Sequence, residues 1–269
     1  IVDNEPDDQE ISSQVEAVVS KFADKNIRYC RNTQNIGMFG NWNRCIELAR
    51  GQYISILNDD DLLSSMFLEK SIQRLKQDPE AKAVVSDFVK LQNNREYEVF
   101  GTSWLRRLDR RLFWQQHLKH LDPRDLLSGN RIPGTLGVLG LKEAFVSLGG
   151  FNSNLYPAAD YVFWILFSSK FRVELLDEVQ CKYRWEVNES LKSEVSDSFF
   201  YCNHFIRRQV LDKNSRHPKL FEMLNISLSR NSYFFHHQNQ RNYIQRFQGF
   251  LSSIRLRIFI KVIHQLLPS

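Results

Sequence analysis

The sequence predicts an α/β fold built around an open, mostly parallel sheet flanked by helices. Between residues 10 and 92, stretches with helical periodicity alternate with short, apolar-rich stretches typical of strands. Acidic residues stand at two predicted strand ends: Asp3 at the strand-like start of the chain, and Asp59 to Asp61 after the strand over 52–57. Because ligands of open α/β sheets lie beyond the carboxyl ends of strands, both acidic positions are predicted to face one crevice.

The first half of the chain supplies regularly alternating elements. Apolar residues recur at helical spacing in the first of them, namely Ile11, Val15, Val18, Val19 and Phe22. Gly51 is predicted to end a second helix, and Ser64 to cap a third one that stops at Asp78. The predicted order is helix 10–23, strand 27–30, helix 40–50, strand 52–57, helix 64–77, and strands 81–86 and 88–92.

The second half is less regular. Asn93 and Asn94 predict a turn, and Asp122 with Pro123 begins a short helix. The other predicted elements are a strand over 97–100, a helix over 103–121, a strand punctuated by glycines at 134, 137 and 140, a helix over 142–148, and a helix with two strands over 160–185. Helices rich in aromatic and amide residues follow from about residue 195. We therefore expect a core domain over 1–192 and a C-terminal helical region over 193–269.

The last predicted helix, over 246–267, has an apolar face flanked by basic residues. Two interpretations stay open at this point. The segment is either a terminal helix packed on the core or an interfacial helix on an anionic membrane surface.

Composition indicates a globular, enzyme-sized protein. The 269 residues are 42% hydrophobic and 25% charged with seven prolines, which argues against disorder. A mean hydropathy of −0.41, with no apolar run near the roughly 18 residues of a spanning helix, argues against an integral membrane protein. The four cysteines lie far apart without a CxxC pair, so the sequence predicts neither a zinc cluster nor disulfides and fits a reducing cytosol.

The net charge of +5 is concentrated in RRLDRR at 106–111 and in the last 30 residues. This distribution favours a phosphate-bearing substrate or an anionic membrane surface over a nucleic-acid groove, and no nucleic-acid partner is predicted.

The aspartates at 59–61 are the most informative feature of the chain. Three adjacent carboxylates repel one another, so their position at the mouth of a buried strand predicts a divalent cation. Taken alone, the same triplet is also compatible with a solvated turn.

Six segments in the same order resemble the family 2 glycosyltransferases of the GT-A fold. These enzymes move a sugar from a nucleotide diphosphate to an acceptor hydroxyl and are built on a Rossmann-like sheet. The resemblance covers about residues 1–190. Its segments are IVDN at 1–4, NIGMFGNWN at 35–43, ARGQYISILNDDDLL at 49–63, LGGF at 148–151, AADYVFW at 158–164 and KYRWEVNES at 182–190.

The resemblance implies a nucleotide site. Asp3 holds the place of the aspartate that bonds the nucleobase, and an acceptor-only carboxylate suits the N3–H of uracil or thymine, hence a UDP- or dTDP-linked donor. The alternative for Asp3 is a helix cap or turn residue. Asn35 and Gly37 would shape the loop beneath the nucleotide, and Asn43 stands where the family has asparagine. Trp42 stands where many members have arginine.

The metal pattern of the family is Asp-any-Asp-Asp, and Asn58 replaces its first member. The resemblance makes Asp60 the principal ligand of Mn²⁺ or Mg²⁺ and Asp59 a candidate for the ribose hydroxyls. Asp61 is implied either as a ligand or as an outer-shell partner. A hard cation there would offset the charge on the departing diphosphate.

The resemblance also assigns a base. Asp160 aligns with the catalytic base of the family, with an N-cap as the alternative interpretation. Arg184 is implied as a phosphate contact, with an ordinary surface position as the alternative. Glu186, where the family often has histidine, is a candidate metal contact.

The function implied is an inverting, metal-dependent glycosyltransferase of bacterial surface polysaccharide synthesis, with a glycan or lipid-linked acceptor. Its expected location is the cytoplasm, with peripheral contact on the inner face of the membrane. The first strand of the family pattern is absent, so we expect the chain to belong to a longer protein. Two alternatives are a nucleotidyl transferase, for which a glycine-rich phosphate loop is missing, and a degenerate relative that binds nucleotide or a partner without turnover.

Overall fold

The computed structural model describes residues 1–5, 9–22, 25–93, 95–97, 120–128 and 130–185, together with 195, 198, 202 and 204–206. Glu186, most of the predicted helix over 103–121 and the predicted helix over 246–267 lie outside the described residues. The chain divides into two compact units. One comprises Ile1–Leu121 with Ile132–Arg184, and the other Asp122–Arg131 with Trp185–Ser269.

The first unit contains five described helices and eight described strands. The helices are α1 Gln9–Ser20, α2 Gly37–Leu48, α3 Phe67–Gln77, α4 Lys142–Ser147 and α5 Ala159–Lys170. The strands are β1 Val2–Asp3, β2 Cys30–Arg31, β3 Tyr53–Ile54, β4 Leu62–Leu63, β5 Ala81–Gln92, β6 Arg95–Tyr97, β7 Val138–Leu141 and β8 Arg172–Arg184. A 3₁₀ turn, Ser153–Leu155, precedes α5, and the predicted short helix after Asp122 is a 3₁₀ helix, Pro123–Ser128, of the second unit.

The α/β class is confirmed, but the described sheet is mixed rather than mostly parallel. Its strand order is β3-β7-β5-β8-β4, with β6 on β5. Of these pairings β5–β8 is parallel and the others are antiparallel. Strands β1 and β2 form a separate parallel pair.

Two short connections exclude parallel pairing between the strands that they join. A parallel neighbour needs a crossover of a dozen or more residues. Only residues 55–61 separate β3 from β4, and β4 pairs with β8 instead of β3. Between β5 and β6 the chain turns at Asn93, whose φ of 51° suits a tight hairpin.

Two stretches predicted as strand pairs are single long strands. The predicted strands over 81–86 and 88–92 are both part of β5, and the two predicted after α5 are β8. The register between β5 and β8 shifts on both sides of Asp87, which marks a β-bulge or similar irregularity in the pairing. This irregularity accounts for the break in the apolar pattern of the sequence.

An aromatic cluster anchors the helices that carry the candidate site. Rings from α2, α4, α5 and the loop before α5 pack together, and the Phe151 and Phe163 centroids lie 4.3 Å apart. The buried members are Phe39, Trp42, Phe145, Phe151, Phe163, Trp164 and Phe167. Helix α5 is therefore fixed in the interior, and its first turn holds Asp160 in a defined place.

Helix α1 confirms the predicted helix but not the burial of its apolar side chains. Ile11, Val18 and Phe22 are 47%, 52% and 48% exposed. A polar contact joins the helix to the segment directly after β1 instead. The buried Ser12 hydroxyl donates to the Glu5 carbonyl at 2.8 Å. Among the helices within the described ranges, none has the length and apolarity to cross a membrane.

Candidate functional site

The aspartate run lies in the loop between β3 and β4, next to the carboxyl end of β8. Asp61 is buried, whereas Asp59 and Asp60 are exposed. The two Asp61 oxygens accept hydrogen bonds from different segments: Oδ1 from the Arg184 backbone N–H at 3.0 Å and Oδ2 from Asn58 Nδ2 at 3.2 Å. The Arg184 guanidinium Nε donates to the Asp60 carbonyl at 2.9 Å. The structure thus brings together the predicted residues Asp59, Asp60, Asp61 and Arg184.

The carboxylates of this loop are held at an electrostatic cost. Burial raises the pKa of Asp61 to about 6, against the opposing effect of the hydrogen bonds from Arg184 and Asn58. Desolvation by the surrounding protein also raises the pKa of Asp60, and the charge of Asp59 adds to this. The negative charge of the loop is therefore incompletely offset by the protein.

This donor set fits a hard divalent cation. Carboxylate oxygens are the ligands that Mg²⁺ and Mn²⁺ prefer, and a cation beside Asp60 and Asp61 would relieve their mutual repulsion. The residues that would hold it lie in the loop between β3 and β4, whereas the sequence predicted them directly after a strand over 52–57.

A second acidic cluster lies elsewhere in the same unit. Ligand atoms of Asp78, His120 and Glu174 are all within 4.8 Å of one another. Glu174 is 1% exposed and pairs with Arg74 at 2.6 Å, and Arg172 lies 2.5 Å from Asp78. Two guanidinium groups balance the two carboxylates, so a cation would be repelled rather than needed.

This second cluster is also remote from the aspartate loop. Glu174 stands near the start of β8 and Arg184 at its end, which at the rise of a strand separates them by about 30 Å. We interpret Asp78, His120 and Glu174 as an ion-pair network that joins the end of α3 to β8. These three residues are far apart in the sequence, so their spacing could not have predicted the network.

Asp3 ends β1 inside a network of its own. Its Oδ2 accepts from the Tyr29 hydroxyl at 2.6 Å, and its Oδ1 accepts from the Glu5 backbone N–H at 3.0 Å. Burial alone would raise the pKa of Asp3, but these bonds and the charge of Arg31, 3.7 Å away, outweigh it and hold the pKa below its ordinary value. Asp3 is therefore a fixed, ionised hydrogen-bond acceptor. Its bond from the Glu5 backbone N–H is also the contact expected of a turn residue, the alternative interpretation of this position.

Asn35 and Gly37 shape the start of α2. Asn35 Oδ1 accepts from the Gly37 backbone N–H and from Asn4 Nδ2, both at 2.9 Å. Gly37 has φ +72°, a conformation that side chains disfavour. Asn4 also accepts from the Ile36 backbone N–H at 3.1 Å. The sequence analysis missed Asn4, whose position directly after Asp3 was the available signal.

Asn43, which the resemblance implies as a nucleotide contact, has a structural role within the protein. Its amide bonds both backbone groups of Phe151, donating from Nδ2 to the carbonyl at 2.8 Å and accepting from the N–H at 2.8 Å. A Cβ at Gly150 would lie 2.3 Å from Asn43 Oδ1, so this close approach requires glycine. In the structure Asn43 ties α2 to the turn before α5, and its contact with a nucleotide stays a prediction.

Replacing Asn43 with alanine is expected to lower the free energy of unfolding by about 2 kcal/mol, because two buried backbone groups lose their partner. Urea unfolding followed by circular dichroism measures this. Asn152→Ala is the control, since that side chain caps only a short exposed turn. Equal stability of Asn43→Ala and wild type would contradict the structural role.

Asp160 is the second residue of α5 and is half-buried. The N-cap is Ala158, which makes no side-chain cap bond. The alternative interpretation of Asp160 as an N-cap is therefore not what the structure shows. A carboxylate in the first turn lies at the positive end of the helix dipole, which stabilises its ionised form.

The described α/β unit shares its fold with its structural neighbours, which are GT-A glycosyltransferases. Residues 1–128 match the model of Glycosyl transferase family 2. This match, over just under half of the chain, supports a family 2 glycosyltransferase.

Two sequence relatives are similar over part of their length. An uncharacterized glycosyltransferase of Methanocaldococcus jannaschii is 22% identical over 197 residues, covering 72% of this chain and 62% of the relative. An uncharacterized protein of Mycobacterium tuberculosis is 27% identical over 167 residues, covering 59% and 50%. The chain thus matches less than two thirds of the length of either relative.

Solved structures of S. aureus TarS share the fold. The complex of TarS 1–349 with UDP is 14% identical, with a TM-score of 0.56 over 95% of this chain and 70% of that one. The complex with UDP-GlcNAc is 15% identical, with a TM-score of 0.56 over 93% and 69%.

The raised pKa of Asp61 predicts a pH-dependent metal affinity. A cation held by Asp61 would compete with a proton for this carboxylate, so the Mn²⁺ dissociation constant is expected to be about 10-fold higher at pH 5 than at pH 7. In the metal-free protein the contribution of this group to the free energy of unfolding is fully present below about pH 4 and is lost as the pH rises through 6, because folding raises its pKa from 3.8 to about 6. Calorimetric titration with MnCl₂ at both pH values measures the change. The Asp61→Asn variant should lose most of the pH dependence of Mn²⁺ binding. An unchanged pH dependence in that variant would assign the effect to another group.

Proposed function

We propose that this chain forms the catalytic core of an inverting, metal-dependent glycosyltransferase that uses a UDP- or dTDP-linked sugar. Its acceptor is a glycan or a lipid-linked molecule of surface polysaccharide synthesis. The observation that carries the proposal is the aspartate loop. Within a family 2 core, Asp61 is fixed by Asn58 and Arg184 beside Asp60, with charge that the protein leaves incompletely balanced.

The donor nucleotide is assigned to the carboxyl ends of β1 and β3. Asp3 is ionised and held in place, and as an acceptor it suits the N3–H of uracil or thymine. Asn35 and Gly37 form the rigid start of α2 beside it, with Asn43 as a further predicted contact. The TarS structures with UDP and UDP-GlcNAc support a uridine donor for this chain.

The diphosphate is assigned to the aspartate loop. Asp60 would be the principal ligand of Mn²⁺ or Mg²⁺, with Asp61 beside it and Asp59 toward the ribose hydroxyls. When bound, the cation supplies Lewis-acid stabilisation of the diphosphate leaving group. Arg184, placed against the same loop, would contribute positive charge toward the phosphates. Glu186 stays a predicted metal contact outside the described residues.

Asp160 is assigned as the base. Its carboxylate would take the proton of the acceptor hydroxyl as that oxygen attacks the anomeric carbon on the face opposite the diphosphate. One such displacement inverts the configuration. Peripheral contact with an anionic membrane, predicted from residues 246–267, would bring a lipid-linked acceptor to the site.

One observation favours a second candidate. Strands β1 and β2 pair with each other and, in the part of the chain that the structure describes, form a sheet separate from the larger one. A relative that binds nucleotide without turnover would need only the Asp3 side of a site divided between these two sheets.

Product formation from a panel of donors distinguishes the two candidates. With Mn²⁺, we expect release of UDP or dTDP from at least one nucleotide sugar and no release in EDTA. NMR of the glycoside product should show an anomeric configuration opposite to that of the donor. Tight binding of UDP without turnover of any donor, even with acceptor present, would favour the second candidate. Retention of configuration would contradict the single displacement.

A further inference from the structure

The structure links Trp42 to Asp61 through the amide of Asn58. The Trp42 indole Nε1 donates to Asn58 Oδ1 at 3.1 Å. The same amide donates from Nδ2 to Asp61 Oδ2 at 3.2 Å. Trp42 is 5% exposed and Asp61 is 4% exposed, so both ends of this chain of hydrogen bonds are buried.

We propose that Trp42 is a positioning residue for Asp61 and acts through Asn58. This inference rests on the proposed function, in which Asp61 belongs to the metal site. An indole N–H can only donate a hydrogen bond, whereas the two ends of an amide differ. Trp42 therefore fixes the Asn58 oxygen toward α2 and the Asn58 NH₂ toward Asp61. An amide turned by half a rotation would set its oxygen against the carboxylate, acceptor to acceptor.

The consequence for Asp61 is a carboxylate held at both oxygens. The backbone N–H of Arg184 holds Oδ1 at 3.0 Å, and Asn58 holds Oδ2. Each carboxylate oxygen has a second lone pair, so these two bonds orient the group without using its whole acceptor capacity. Partners that orient carboxylates of a metal site in this way commonly raise metal affinity.

Trp42 is itself fixed by its surroundings. Its ring packs against those of Phe39 and Phe151, with centroids 5.3 and 5.2 Å away. Gly134, at φ +60°, leaves room for it, since a Cβ there would lie 2.8 Å from Trp42 Cη2. The indole donor is thus held toward Asn58 by packing on several sides.

Positions 42 and 58 are also two at which the sequence departs from the family pattern, and the structure makes them partners. An ionised aspartate at 58 could accept from Trp42 but could not donate to Asp61. It would also extend the run of carboxylates from three to four. Asparagine at 58 can both accept from Trp42 and donate to Asp61. Because its amide is neutral, it suits an uncharged partner such as Trp42.

The test is Mn²⁺ affinity, measured by calorimetry on the full chain without nucleotide. Trp42→Phe keeps an aromatic ring and removes the donor, and we expect it to weaken Mn²⁺ binding about 10-fold, as for loss of an outer-shell partner. Asn58→Ala should weaken binding at least as much. The double variant should be no weaker than Asn58→Ala alone, because Trp42 acts through Asn58.

Trp164→Phe is the matched control. Trp164 is 1% exposed and donates Nε1 to the Gly134 carbonyl at 2.7 Å, so its replacement removes the same kind of buried bond away from Asp61. We expect lower thermal stability and an unchanged Mn²⁺ dissociation constant in this variant.

Three results would overturn the positioning role: wild-type Mn²⁺ affinity in Trp42→Phe, additive losses in the double variant, or an equal loss in Trp164→Phe. The last two would mean that Trp42 acts through packing alone. A wild-type chain that binds no Mn²⁺ would overturn the metal role in the proposed function and the positioning role with it. The two failures are therefore distinguishable.

Discussion

Replacing Asp60 with alanine is expected to remove the metal dependence of nucleotide binding. In the proposed function the diphosphate reaches this loop through the cation, so losing the principal ligand should reduce UDP affinity to that of wild type in EDTA. We expect UDP affinity in Mn²⁺ to fall roughly 100-fold, since mutation of even an outer-shell partner can lower metal affinity by that factor. The contact of Arg184 with this residue goes to its backbone carbonyl and can persist in the variant.

Calorimetry with UDP, in Mn²⁺ and in EDTA, measures this effect. Asp60→Asn is a second variant that keeps the shape of the side chain and removes its charge. Asp177→Ala is the control, because Asp177 is an exposed carboxylate of β8 outside the site. If Asp60→Ala responded to Mn²⁺ as wild type does, the cation would have to be held elsewhere and the assignment of the aspartate loop would be wrong.

The helices of the fold were largely predictable because their signal is local. In α3, Phe67, Ser71 and Leu75 recur at helical spacing and are buried, and Glu69 between them is exposed. Strand pairing has no such local signal. The partner of β4 is β8, more than a hundred residues away, so nothing near β4 in the sequence identifies its partner or their antiparallel direction.

The aspartate loop was predictable for a chemical reason. Adjacent carboxylates at a strand end are unfavourable without a counter-charge, whatever the rest of the fold, and this signal lies within ten residues of sequence. The contact between Asp61 and the backbone of Arg184 joins positions 123 residues apart. The resemblance gave Arg184 as a candidate, but that backbone bond carries no mark in the sequence.

Other polar residues could not be assigned from the sequence because their partners are set by tertiary packing. Asn43 is bonded at both ends of its amide to Phe151, 108 positions later. Glu174 is balanced by Arg74 and Arg172, which approach it from α3 and from its own strand. A sequence shows that such side chains can donate or accept, and the fold decides which groups they reach.

Replacing Asp160 with asparagine is expected to lower kcat by about 100-fold or more, the usual scale for loss of a positioned general base. The side chain keeps its shape and loses only its basicity. Its place in the first turn of the buried helix α5 does not depend on capping, because Ala158 is the N-cap, so the variant should keep the wild-type fold.

Steady-state kinetics with a donor that the wild type uses, together with UDP calorimetry, separates chemistry from binding. We expect nearly unchanged UDP affinity and a large loss of kcat in Asp160→Asn, because the carboxylate acts on the acceptor hydroxyl and not on the nucleotide. Asp177→Asn makes the same chemical change on the surface of β8 and should behave as wild type. Wild-type turnover in Asp160→Asn would place the base elsewhere. A loss confined to UDP affinity would make Asp160 a donor-binding residue, because a base that acts only in the transition state leaves ground-state binding of the nucleotide intact.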